Sequence, residues 1–270
     1  MSFLDAISAE RAERIRHDHE KTSQRLEWLG SPHPPAAGSA LAGDDRLYPA
    51  WPTSQVALQG LISATDHLSL LFESVQVRTR PIAQFTPARA SLFAASCTIW
   101  VLSPKLRADR QSRALSLAHE DFRQLRALVT DIEGGSMARL LTPEQASAVR
   151  TYVDTQVSTI EQVQGFDGGK PSDTQIIEQA AAYIDSQNEG AAHALKLLWR
   201  VNSGHAHGLG WPELLRHPEI VSRSQSDPSI YYRQVKADPD AIAQAIEAAT
   251  LASDVAFRLY QQRAASPTCD

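Results

Sequence analysis

At four places along this 270-residue chain a short polar residue followed directly by proline can be read as a helix start: Thr86-Pro87, Ser103-Pro104, Thr142-Pro143 and Asp238-Pro239. Such a pair suits the start of a helix. The side-chain oxygen can accept from one of the first backbone N–H groups, and proline at the first helical position lacks an N–H that would have no partner there. The pairs predict helices over roughly 86–102, 103–132, 142–164 and 238–263. Another follows over 53–75, where Val56, Leu61, Leu68, Leu71 and Val75 supply an apolar face and Arg80-Pro81 bars continuation. Two more are expected near 173–186 and 189–202. Only 229–235 has the β-branched and aromatic character of a strand. The fold class expected is all-α, a multi-helix bundle.

The ends of the bundle follow from composition. Residues 3–28 form a densely charged helix whose apolar stripe, Leu4, Ile7, Ile15 and Leu26, is narrow, so it should pack lightly or against a partner. Residues 30–52 contain five prolines and three glycines, a composition that favours irregular or extended backbone. The expected organisation is therefore a charged helix over 1–29, a linker over 30–52, a helical bundle over 53–263 and a flexible tail over 264–270. Residues 165–172 read as a second joint.

With 26 Lys+Arg against 31 Asp+Glu the net charge is −5, and a 43% hydrophobic content is enough to build a core. The longest apolar stretch without a charge, 90–102, is too short to span a bilayer, and the first 30 residues lack an apolar signal core. Cys97 and Cys269 are the only cysteines, which suits a reducing compartment. A cytoplasmic protein without a membrane segment is the expectation. Nucleotide-binding and hydrolase motifs are missing: Gly134-Gly135 and Gly168-Gly169 are isolated pairs, no G-x-S-x-G turn is present, and Cys97 lies among apolar neighbours.

The stretch that could carry chemistry is Trp199-Arg200-Val201-Asn202-Ser203-Gly204-His205-Ala206-His207-Gly208. If the helix persists through Gly204, seven residues return the chain to within about 20° of the starting direction, so Arg200 and His207 share a face and His205 points away. If the helix stops at Gly204, either imidazole could fold back toward the arginine. Metal-free RNA cleavage needs a group that moves the 2′-hydroxyl proton and a fixed positive charge for the phosphorane. Histidine suits the first task and arginine the second, with Asn202 or Ser203 to orient the imidazole.

Arginine followed by histidine after four to six residues near a helix end resembles the R-x4-6-H signature of HEPN-fold proteins, many of which are ribonucleases in toxin or phage-defence systems. Arg200 with His205 and Arg200 with His207 both meet the spacing, although Val201 stands where that pattern commonly has a polar residue. The resemblance implies a metal-independent ribonuclease or a degenerate relative, without a cofactor. Arg200 would bind phosphate, His205 or His207 would transfer the proton, RNA would be the substrate, and a homodimer or a cognate protein would be the partner. The chain also resembles a bacterial all-helical family. In that family a segment such as Arg89-Ala90-Ser91-Leu92 to Trp100-Val101-Leu102-Ser103-Pro104 and an arginine-rich helix precede a Ser-Gly-x-Ala-His-Gly element, here 203–208. That likeness spans roughly 53–208 and implies a helical fold without an activity. The alternative is a non-enzymatic helical interaction or ligand-sensing module, in which the same element terminates a helix beside a partner site.

Local charge offers a second candidate. Arg107, Arg110 and Arg113 recur every three residues and lie close on one side of a helix, where they could bind an anion or nucleic acid, or pair with acidic neighbours inside the protein. No zinc-finger, RNP-type or homeodomain pattern accompanies them, which argues against sequence-specific DNA binding. The nine histidines include no H-E-x-x-H and there is no cysteine pair, so no metal site is expected; His67 and His119 could be hydrogen-bonded core residues as readily as functional ones. Trp100, Trp199 and Trp211 are expected to pack rather than stack on a ligand.

Overall fold

A computed structural model of the chain describes residues 2–134, 141–187, 189–216, 219–227 and 229–266. It is an all-α multi-helix bundle. In chain order the helices are α1 (Ala9–Leu29), α2 (Ala40–Asp44), α3 (Thr53–Val77), α4 (Phe85–Leu102), α5 (Arg107–Gly134), α6 (Pro143–Glu161), α7 (Asp173–Asp185), α8 (Ala191–Ala206), α9 (Trp211–Leu214) and α10 (Pro239–Ala264). Between α9 and α10 an antiparallel hairpin joins β1 (Glu219–Arg223) to β2 (Tyr231–Gln234).

The polar-proline pairs act in more than one way. Thr142 caps α6 by accepting from Gln145 N, and the Gln145 side chain accepts in return from Thr142 N, a reciprocal capping box with Pro143 at the first position. Asp238 caps α10 through Ala241 N at 3.0 Å. Pro87 instead lies inside the first turn of α4, where its missing N–H costs nothing. Ser103-Pro104 falls short of its helix: α5 starts only at Arg107, and the Pro104 and Lys105 carbonyls left outside it accept from Arg110 Nη1 at 3.1 and 2.9 Å.

The chain packs as two compact units, one of residues 1–33, 60–99 and 173–258, the other of 34–59, 100–172 and 259–270. The chain passes from one to the other at 33/34, inside the 30–52 stretch, within α3, α4 and α10, and at 172/173, where the 165–172 stretch ends. In the first unit Ile15, Leu68, Leu71, Phe72, Phe85, Ile242 and Ile246 form a common apolar core. The N-terminal helix belongs to this unit and is held firmly. Arg11 pairs with Asp240 and Glu247 at 2.8 and 2.9 Å, and Lys21 and Arg25 both bind Asp254, so its charged flank is tied to α10. His19, which belongs to that charged helix, stacks on Phe72 with ring centroids 5.1 Å apart.

In the second unit, the stretch expected to be an irregular linker contains α2, with Leu41 and Asp44 fully buried. Ser39 caps α2 by accepting from Ala42 N at 3.1 Å. Asp44 then receives Arg110 in a two-pronged pair at 2.6 and 2.8 Å, and its carbonyl accepts from Gln111 at 2.9 Å. Proline and glycine at 30–52 shape the entry and exit, but the tertiary pair holds the segment. Phe122 packs edge-on against Trp51 and Tyr152, joining α5 to α6. α4 is long and apolar enough to cross a membrane by length and composition alone, yet 61% of it is buried within the protein. Cys97 is half-buried on α4, and Cys269 lies outside the described residues.

Candidate functional site

α8 carries the arginine-histidine stretch and ends in a defined way. Its helix continues through Gly204 to Ala206, with His207 as the C-terminal cap. Gly208 follows in the left-handed region at φ +68°. Leu209 N donates to the Gly204 carbonyl at 2.9 Å and Gly208 N to the His205 carbonyl at 3.0 Å, the paired bonds of a Schellman motif. Glycine at 208 is thus required by backbone geometry.

Gly204 has a different task. A Cβ built there would lie 2.6 Å from Pro212 Cγ and 2.9 Å from Trp211 Cζ2. Glycine in a helix interior costs about 1 kcal/mol relative to alanine. Here it lets the reversed chain press Trp211 and Pro212 against the backbone of α8.

One face of α8 turns inward, bearing Leu195, Trp199, Asn202 and His205. Phe93 stacks on Trp199 with centroids 5.6 Å apart, and the Arg89 guanidinium lies 4.5 Å from that ring centre while its Nε donates to Ser203 Oγ at 3.2 Å. Asn202 is 1% exposed, and neither of its amide atoms has a hydrogen-bond partner.

His205 is 3% exposed and stacks on Phe85 at 4.4 Å. Its Nδ1 lies 3.4 Å from Glu213 Oε1, and Arg216 Nη2 lies 3.2 Å from its Nε2. Arginine can only donate, so Nε2 is the unprotonated nitrogen and Nδ1–H faces the carboxylate. Burial, reinforced by the positive charge of Arg216, pushes the His205 pKa down to about 4. The imidazole is therefore neutral near pH 7, with its lone pair already engaged. Arg216 also donates to the Pro81 carbonyl at 2.9 Å and lies over the Phe85 ring at 4.8 Å.

The structure therefore joins His205 to Glu213 and Arg216, not to Arg200. Arg200 is exposed, on a different side of α8 from His205. His207 is also exposed and lies on the Arg200 side, about two turns further along. Gly204 lies between them along the helix and faces Trp211, which is 41% exposed. Trp100 and Trp199 are each 4% exposed and pack inside.

Arg107, Arg110 and Arg113 engage protein groups. Arg107 and Arg110 share Asp44, with Arg110 only 3% exposed. Arg113 donates to the Trp100 carbonyl at 2.7 Å and lies over that residue's ring. His119 faces Glu161 at 3.2 Å. Among the described residues, no group of three or more His, Cys, Asp or Glu is placed to hold a metal ion.

Phe85, Glu213 and Arg216 were not singled out by sequence, and Arg89 only as the start of the 89–104 segment. Glu213 and Arg216 offered a faint signal, a Trp-Pro-Glu helix start with a basic residue three positions on. Phe85 and Arg89 lie more than a hundred residues from their partners, and neither offered a signal of those contacts. Comparison of the chain with protein-family models, characterised proteins and solved structures returns no match.

Proposed function

We propose that this chain is a non-enzymatic helical interaction module, docking a partner through the segment that follows α8. The observation that carries this reading is the distribution of exposed apolar side chains. Among the described residues, about half of the exposed large hydrophobic side chains fall within 209–235, among them Leu209, Trp211, Leu214, Leu215 and Tyr232. Apolar groups concentrated in this way mark contact surfaces. The arginine-histidine stretch supports the segment: Gly208 turns the chain, Gly204 seats Trp211 and Pro212, and His205 with Glu213 and Arg216 ties α9 to the start of α4.

A second reading, a HEPN-like metal-independent ribonuclease acting on RNA in a toxin or defence setting, is favoured by one observation, the common exposed side of Arg200 and His207. In it Arg200 binds phosphate and His207 transfers the proton, since the lone pair of His205 is engaged. One assay separates the two. Purified protein is incubated with mixed RNA in excess EDTA, beside Arg200→Ala and His207→Ala. The interaction reading expects intact RNA throughout. Cyclic-phosphate ends that disappear in either variant would overturn it and establish the nuclease.

A further inference from the structure

Beside the core of the first unit, residues 2–4, α1 and α3 surround a cavity of about 140 Å³. Phe3, Leu4, Ile15, Phe72 and Val75 form its apolar wall, and all but Leu4 are only 1–5% exposed. Protein interiors are otherwise close-packed, with few voids larger than a water molecule. A cavity of about 150 Å³ lined by apolar side chains stays dry and accepts a molecule the size of benzene. The two phenylalanines of the wall offer the offset and edge-on contacts that an aromatic ring prefers.

The remaining lining residues, Ser2, Arg16, His19 and Gln76, select the charge of an occupant. Arg16 donates to Glu13 at 2.7 Å. It also acts on Asp5, whose pKa is lowered first by hydrogen bonds from Ser2 and further by the charge of Arg16. Two carboxylates thus offset one guanidinium, which leaves no surplus positive charge for an anion. Neither carboxylate lines the cavity, so a cation would find no partner in it. The apolar wall penalises a full charge of either sign.

Hydrogen bonding remains open at one point. Gln76 Nε2 donates to His19 Nδ1 at 3.1 Å, which places the imidazole proton on Nε2. Among the described residues the Gln76 side-chain carbonyl and His19 Nε2–H have no hydrogen-bond partner. A hydroxyl can donate to the first or accept from the second.

We propose that this cavity binds a neutral single-ring aromatic compound bearing a hydroxyl, a phenol, with the ring against Phe72 and Val75 and the hydroxyl at the Gln76–His19 pair. None of its lining residues lies within 209–235, so the site is independent of the docking reading.

Phenol and toluene are the probes, added to the full chain and followed by calorimetry and saturation-transfer NMR. Wild type should bind each at a single saturable site, and its melting temperature should rise with either. Val75→Leu adds one methylene to the cavity and should weaken both about threefold; Val75→Phe should abolish both. The double variant His19→Phe/Gln76→Leu keeps a ring beside Phe72 and removes both polar partners. It should weaken phenol about fivefold and leave toluene nearly unchanged. Circular dichroism confirms the helical fold of each variant, and Val75→Leu alone decides if Val75→Phe does not fold.

A wild type that binds neither probe up to its solubility limit overturns the proposal, as does binding indifferent to the Val75 variants. Equal loss of phenol and toluene in the double variant removes the hydroxyl recognition, and with it the assignment to phenols. None of these outcomes changes what the RNA assay reads.

Discussion

Arg216 donates to Nε2 of His205 at 3.2 Å, and this contact determines what the histidine can do. The donated hydrogen bond occupies the lone pair that a general base would use, and the opposite nitrogen faces Glu213. His205 is thus an architectural residue that links the end of α8 to α9.

This arrangement makes stability depend on pH. The folded-state pKa of His205 is depressed from 6.5 to about 4, so between those values the unfolded chain binds a proton that the folded chain does not. The contribution is fully present above pH 6.5 and is lost as pH falls toward 4. Its upper size is about 3 kcal/mol. Denaturant unfolding at pH 7 and pH 4.5 should show a steeper loss in wild type than in His205→Gln.

The two arginines nearest the histidines should behave differently. Arg200 is exposed and has no ion pair or hydrogen bond among the described residues, so Arg200→Ala should change stability by less than about 0.5 kcal/mol. Arg216→Ala removes donors to His205, Glu213 and the Pro81 carbonyl, and should cost about 3 kcal/mol. Equilibrium unfolding of both variants checks the contrast.

Gly204→Ala should destabilise despite alanine's better helix propensity. The added methyl meets Pro212 and Trp211 at 2.6 and 2.9 Å, an overpacking worth about 1–3 kcal/mol. Trp211 must then move outward, and its fluorescence should shift to longer wavelength. Gly208→Ala should cost about 1 kcal/mol through its left-handed backbone and leave that fluorescence nearly unchanged.

Asp44→Ala should be the most damaging of these changes, at about 3–5 kcal/mol, because it strands the buried guanidinium of Arg110. An Asp44→Leu/Arg110→Leu double variant removes both charges and should recover much of the loss. Thermal or denaturant unfolding of the single and double variants tests this coupling.

Helix positions were readable because their causes are local. Thr142, Pro143 and Gln145 cap α6 within four residues, and the apolar spacing of α3 runs along its own length. A strand within 229–235 was legible for the same reason, and β2 covers Tyr231–Gln234 of it. Its partner β1 was not, since Glu219–Arg223 is stabilised by pairing with residues further along the chain. The 30–52 stretch was misread as a linker because its holding group, Arg110, is 66 residues from Asp44.

The sequence by itself determined the helical architecture, since caps, prolines and periodic apolar residues act over one or two turns. Which face each motif residue took was decided by tertiary structure. His205 turned inward because Phe85 of α4 and Glu213 and Arg216 of the α9 segment converge on it, and Arg200 was left outside because no described residue converges on it. Burial and ion pairing depend on distances through space, and those are set only when the whole unit packs.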